Sequence, residues 1–261
     1  MIQAMPYSTV QSDKLKVRIY ATRIDMGAAA AAEAGDRIRE LMAAKEGFIS
    51  IVFAAAPSQN EFLLHLCRDT KIEWDRIICF HMDEYVGLSQ QAPQSFSSFL
   101  RNSIFEKVPV HTVHYINGSA PDVTAECERY TSLLKQYPPD IVCLGIGENT
   151  HIAFNDPYIA DFNDPHLVKV VTLDQASRDQ QVHDGCFPDL ASVPTEAITL
   201  TVPALLQAGS LFCIVPGKNK ASAVYQTLNS EINNVTPSTS LRTHPDARLY
   251  LDVDSAAQLN S

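Results

Sequence analysis

Glu148, Asn149, Thr150, His151, Asn155 and Asp156 fall within nine residues of one another, in the stretch GIGENTHIAFNDP from Gly145 to Pro157. An imidazole among carboxylates is the usual arrangement for proton transfer near neutral pH, because an acid orients the ring and the ring moves the proton. A lone histidine is more often structural; one beside Glu148, Asn149 and Asp156 is a candidate for chemistry. No HxH or HExxH spacing accompanies it, so a metal is not expected. A dinucleotide fingerprint also fails, since Thr150 stands where GxGxxG needs its third glycine. Gly145 and Gly147 instead let the chain turn sharply and let a ligand approach the backbone.

Two further stretches carry similar promise. HMDEYVG places Asp83 and Glu84 side by side after an apolar run. Neighbours in an extended segment point opposite ways, so one carboxylate is expected at a site as a base while the other caps or pairs nearby. VPGKNK puts Lys218 and Lys220 just before the helical pattern NKASAVYQTL. Cations at a helix N-terminus are unfavourable unless an anion lies between them and the dipole, and a phosphate fits that role. Ser58, read as the N-cap of a helix with Glu61 three residues later as its capping-box partner, would supply a second set of phosphate donors.

The elements that must position these residues alternate. Strands are expected at 17–21, 48–56, 77–81, 111–116, 141–144, 168–173, 211–215 and 247–253 and at the start of 198–208, which leads into a short helix, with further helices at 27–45, 58–69, 95–108, 125–137 and 219–230. Such alternation implies an α/β fold, an open, mostly parallel sheet with helices on both faces. In such sheets ligands bind beyond the carboxyl ends of the strands, which is where the loops at 54–61, 80–88, 145–157 and 215–220 all fall. No linker or repeat divides the chain, so one domain is expected over 1–261. Residues 1–15 read as a loose N-terminal segment, and a small subdomain is conceivable at 158–195.

Composition narrows the partners. A net charge of −10 leaves no basic surplus to neutralise nucleic acid, so an anionic substrate needs a local site. The six cysteines form no CxxC pair and several lie in apolar runs, as buried thiols do in a reducing cytoplasm. No run approaches the roughly 18 apolar residues of a membrane span. A cytoplasmic protein is the expectation.

Taken together, FHMDEYVGL, PQSFSSFLRNSIFEKV, INGSAPDVTAECERY, the HIAFNDP stretch, LTVPALL and GKNKA closely resemble the glucosamine-6-phosphate deaminase/isomerase family, within the superfamily that includes 6-phosphogluconolactonases. The resemblance runs from about residue 15 to the end. It implies a modified Rossmann-like sheet and conversion of a 2-amino-2-deoxyhexose 6-phosphate, the gluco or galacto epimer, to a ketose phosphate plus ammonia without a cofactor. By the same resemblance Asp83 is the base between C2 and C1, and His151 assists ring opening with Asp156 as its carboxylate partner. Lys220 contacts the phosphate, cradled by the 54–58 loop with Ser58 and Gln59, and Glu84 and Gly147 join the substrate contacts. A small-molecule sugar phosphate is the implied partner, with neither nucleic acid nor membrane, and a homo-oligomer is compatible with the family.

Departures sharpen the expectation. The family's phosphate loop reads PTGGT or PTGST, whereas AAAPSQ stands here. Asn149 replaces a carboxylate two residues before the histidine, Thr150 replaces a glycine, and Asp156 stands where Glu is commoner. Because Asn149 carries no charge, Glu148 is expected to take over if the loop turns it inward. Arg178 is the nearest candidate for a phosphate-binding arginine. The alternatives are a non-deaminating sugar-phosphate isomerase or lactonase-like hydrolase on the same fold, and a non-catalytic sugar-phosphate sensor.

Overall fold

The computed structural model describes residues 5–259. Strand β1 (Ser8–Ser12) pairs antiparallel with β2 (Leu15–Tyr20), so the segment expected to be loose instead forms a hairpin from Ser8 onward; residues 1–4 lie outside the described residues. Helix α1 (Arg23–Ala44) starts at Thr22, whose side chain accepts from Asp25 N–H, and its alanine run sustains 22 residues. Gly27 is required there by close approach: a Cβ would come within 2.5 Å of Glu61 Cβ on the next helix. Then follow β3 (Ile49–Phe53), α2 (Asn60–Leu66), β4 (Ile77–His81) and β5 (Asp83–Tyr85). Helix α3 (Phe96–Leu100), which widens into a π-turn over 101–105, precedes β6 (Thr112–His114), α4 (Val123–Gln136) and β7 (Ile141–Leu144). The remainder comprises β8 (Val168–Thr172), α5 (Gln175–His183), β9 (Glu196–Leu200), α6 (Val202–Leu206), β10 (Ser210–Val215), α7 (Ala221–Asn229) and β11 (Ala247–Asp252).

Eight strands form one sheet in the order β1-β2-β11-β10-β7-β3-β4-β6, parallel except for β1. Alternation along the strands divides the core between two faces. Ile51, Phe53, Ile141 and Cys143 pack with Phe62 and Leu66 of α2, whereas Val52, Val142 and Leu144 pack with Tyr130 and Leu134 of α4. Helices therefore cover both sides, as a parallel sheet demands. Strands β5, β9 and β8 form a separate antiparallel sheet. The sequence pattern places β8 in the main sheet and leaves α5 and β1 unmarked: α5 is too polar to show an apolar stripe, and β1 is mostly exposed.

The chain runs from β3 outward to β4 and β6, then returns to β7 and continues outward through β10 to β11. The reversal lies between β3 and β7, where the crevice for a ligand opens. The register makes the strand ends level: Phe53 pairs with His81 and with Cys143, and Cys213 pairs with Leu144. All six cysteines are free thiols, four of them buried. Among the described residues no helix is long and apolar enough to cross a membrane.

Candidate active site

The four loops singled out in the sequence follow β3, β4, β7 and β10, which are four adjacent strands. They meet around a cleft of about 790 Å³, counting its part open to solvent. Asp83, His151, Gly147, Ser58 and Lys220 all line it. Phe96 and Phe154, stacked with centroids 5.8 Å apart, supply apolar wall.

Asp83 begins β5, where its backbone is held from two sides. Leu200 N–H donates to the carbonyl of the preceding Met82, and His81 Nδ1 lies 2.8 Å from the Asp83 carbonyl. His81 Nε2 accepts from Ile116 N–H, so Nδ1 carries the proton and donates. Burial keeps the His81 pKa below its usual value, and that neutral tautomer stays in place. The Asp83 carboxylate itself has no hydrogen-bond donor among the described residues. Burial first, and then the neighbouring charge of Glu84, push its pKa well above the ordinary carboxylate value. A buried, unpaired carboxylate at a cleft wall is a strong base.

Glu84 was expected among the substrate contacts and is not there. Its side chain turns away and accepts from the backbone N–H groups of Tyr85, Phe96 and Ser97 and from Ser97 Oγ, so it caps α3. Of the two adjacent acids, one faces the cleft and the other anchors a helix, as opposite-pointing neighbours require.

His151 is held on one edge. Its Nδ1 lies 2.6 Å from Asn149 Oδ1, 2.8 Å from Ser177 Oγ and 3.2 Å from Asp156 Oδ1. Asn149 Nδ2 donates to Asp156 Oδ1, which fixes the amide's orientation and leaves Oδ1 as an acceptor toward the ring. Nδ1 is therefore the nitrogen that bears the proton in the neutral tautomer, whose Nε2 lone pair is left for the cleft. Burial alone would raise the Asp156 carboxyl. The hydrogen bond from His151, with donors from Ser177 Oγ and Asp174 N–H, instead holds it far below the usual range. It is a fully buried, permanent anion behind the imidazole.

Glu148 does not join this group. Its carboxylate accepts from Asn219 Nδ2 at 2.7 Å and faces His183, at the rim. The loop needs no inward turn there, because Asp156 and Ser177 already occupy the far side of His151. Thr150, in place of a glycine, takes the left-handed conformation at φ 71°.

Lys220 is 5% exposed at the end of the turn leading into α7, and no carboxylate lies within ion-pair distance of its ammonium among the described residues. Burial lowers its pKa, against the opposing pull of Asp184 and Glu148. Ser58 lines the cleft but is not an N-cap: Ala56 holds that position, Pro57 opens a 3₁₀ turn, and α2 follows at Asn60. Gln59 lies beneath the floor instead of in the cleft, donating to Ser58 Oγ and to the carbonyls of Leu144 and Ile214. Arg178 is also displaced from its expected role. Its guanidinium donates to the carbonyls of Leu190 and Val193 and ties α5 to the following turn.

Sequence reasoning missed Arg23, Ser177, Gln180, Gln181 and Asp184. Arg23 reaches the cleft from the start of α1, paired with Glu61 at 2.7 Å. Gln180, Gln181 and Asp184 come from α5. Asp174, as N-cap before the one weakly patterned segment, was the signal for that helix. Among the described residues no group of three or more His, Cys, Asp or Glu is placed to hold a metal ion. The cleft thus combines a buried carboxylate of raised pKa, an imidazole and a buried lysine.

The family model for glucosamine-6-phosphate isomerases/6-phosphogluconolactonases matches residues 21–250. A glucosamine-6-phosphate deaminase of Streptococcus sanguinis is 31% identical over 229 residues, 87% of this chain and 95% of its own. One from an Exiguobacterium species is 32% identical over 221 residues, 85% and 84% respectively. Among solved structures, a monomeric glucosamine-6-phosphate deaminase superposes with a TM-score of 0.84 at 28% identity, covering 92% of this chain and 98% of its own. A 6-phosphogluconolactonase from Thermotoga maritima reaches 0.73 at 21% identity, covering 92% and 100%, a likeness of fold alone.

Proposed function

The chain belongs to the glucosamine-6-phosphate isomerase/6-phosphogluconolactonase family, and from that premise we propose that it deaminates and isomerises glucosamine 6-phosphate to fructose 6-phosphate and ammonia. The observation that carries the reading is the sharing of one cleft by Asp83, His151 and Lys220.

The sugar ring opens first. The free Nε2 of His151 takes the O1 hydroxyl proton as the C1–O5 bond breaks and returns it to O5, leaving an aldehyde. The permanent charge of Asp156 stabilises the imidazolium formed between those two steps. Asp83, as carboxylate, then removes the C2 proton, made acidic by the adjacent carbonyl, while the substrate's own ammonium passes a proton to O1, to give an enolamine. Delivery of that proton to C1 yields the C2 iminium. Water adds to C2, and the carbinolamine collapses with loss of ammonia. Raised basicity of Asp83 suits removal of a proton from carbon, and each step conserves its protons without a cofactor.

Lys220 takes the 6-phosphate, with the N–H groups of the turn around Ser58 as further donors. The phosphate supplies the negative charge that a buried ammonium lacks. Six unpaired thiols support a cytoplasmic setting.

The test is a panel of glucosamine 6-phosphate, galactosamine 6-phosphate and 6-phosphogluconolactone, assayed for ammonia, ketose and lactone loss. Ammonia and ketose in equal amounts are expected from an amino-sugar phosphate. Ketose without ammonia, or lactone loss alone, would overturn the reading.

A further inference from the structure

Helix α5 is bound to the catalytic loop by three residues one turn apart. Asp174 N–H donates to Asp156 Oδ2 at 3.1 Å, Ser177 Oγ bridges Asp156 and His151, and Gln180 Oε1 accepts from Glu148 N–H at 2.8 Å. Ser177 and Asn149 each reach both members of the histidine–carboxylate pair, and of the two Ser177 is completely buried whereas Asn149 is partly exposed. Ser177 lies outside the cleft lining and has no path to substrate. Its hydrogen can go only to Asp156, an anion without a proton to offer, so its lone pair faces Nδ1–H. The carboxylate is 3.2 Å from Nδ1 while the hydroxyl is 2.8 Å away. The neighbour on the other side, Asn149, is neutral.

We propose that Ser177 is a positioning residue for His151: its hydroxyl links Nδ1–H to the Asp156 carboxylate, holding the ring in the tautomer that presents a bare Nε2 to the cleft. Asn149 and Ser177 then clamp Nδ1 from two sides, and Asp156 supplies the charge through Ser177. This role rests on the assigned part of His151 in ring opening, but the geometry it describes exists before any substrate binds.

The experiment compares wild type, Ser177→Ala and Ser177→Thr, with ¹⁵N-histidine-labelled protein and His151→Gln to assign the ring signal. In unliganded wild type, long-range ¹H–¹⁵N spectra are expected to show His151 as the Nδ1–H tautomer at pH 8. Ser177→Ala is expected to shift it toward a tautomer mixture and to lower kcat ten- to a hundredfold with KM within threefold. Ser177→Thr, which keeps the hydroxyl, restores both. An unchanged tautomer with unchanged kcat overturns the proposal, as does a rise in KM alone, which would make Ser177 a contributor to substrate binding through α5. Should Ser177→Ala not fold, Ser177→Cys, a near-isostere with a much weaker donor, decides by the same readouts. A tautomer change in a protein that releases no ammonia from any amino-sugar phosphate would uphold the positioning and sink the reaction assigned above.

Discussion

The imidazole of His151 lies directly on the α-carbon of Gly147. A Cβ at Gly147 would stand 2.2 Å from Cε1, 2.3 Å from Nδ1 and 2.4 Å from Nε2 of that ring. Gly147 N–H also donates to the His151 carbonyl at 2.8 Å, so backbone and side chain are fixed against each other. The glycine after β7 therefore serves the histidine as well as the turn.

Gly147→Ala should displace the ring and break its contacts with Asn149 and Ser177. Loss of a positioned acid–base group costs about 10²–10⁴ in rate; a decrease in kcat of about a hundredfold is expected. Steady-state kinetics checks this, with circular dichroism to show an intact fold. Activity within threefold of wild type would mean that the ring has room to move without leaving its working position.

Thr150 holds a conformation that a β-branched residue rarely adopts, and its buried Oγ1 has no hydrogen-bond partner among the described residues. Strain of this kind is of order 1–3 kcal/mol. Thr150→Gly removes both penalties at the cost of some chain entropy, leaving a net gain of about 1 kcal/mol. In a chain of this size that corresponds to about 2–4 °C in Tm, measurable by calorimetry. A lower Tm would show that packing of the threonine methyl outweighs the strain.

Asp83 must be ionised to act as a base, so kcat/KM should fall as pH drops through its raised pKa. The acid limb is then displaced upward from the usual carboxylate position. Asp83→Asn should reduce turnover by at least 10³ and abolish exchange of the C2 proton with solvent, leaving phosphate-ligand binding nearly intact. The stability effect has the opposite sign. A carboxyl with a raised folded-state pKa destabilises the fold above that pKa and ceases to do so below the unfolded value. Asp83→Asn should therefore raise Tm near neutral pH, with the gain shrinking as the solution is acidified. A uniform Tm loss at every pH would assign Asp83 a structural role.

Much of this site could be read from the sequence because its parts sit at strand ends, where apolar runs stop and polar residues begin. Asp83, His151 and Lys220 each follow such a boundary, and adjacency of β10, β7, β3 and β4 then brings them together. What escaped was long-range or helical. Ser177 reaches His151 across 26 residues from a helix with no apolar stripe, and only its hydroxyl chemistry marks it. Glu84 and Arg178 were misplaced because charge suggested a ligand, whereas α3's free N–H groups and two loop carbonyls claimed them first. Gln59 went to unpaired carbonyls at the strand ends for the same reason.

Lys220 permits the most direct test of the anion. A buried ammonium with no carboxylate at ion-pair distance among the described residues destabilises the free protein, and its lowered pKa is the sign of that cost. Lys220→Met keeps the stem and removes the charge, so the unliganded variant should melt above wild type near neutral pH. Added glucosamine 6-phosphate should raise Tm far more in wild type than in the variant. A hydrogen bond to a charged group contributes about 1.5–3 kcal/mol, which predicts a KM increase of about 10- to 150-fold with a smaller change in kcat. If glucosamine 6-phosphate stabilises both proteins equally, the phosphate is held by the turn at Ser58 without the lysine. The charge of Lys220 would then have to serve the reacting end of the sugar, and kcat would fall in place of the rise in KM.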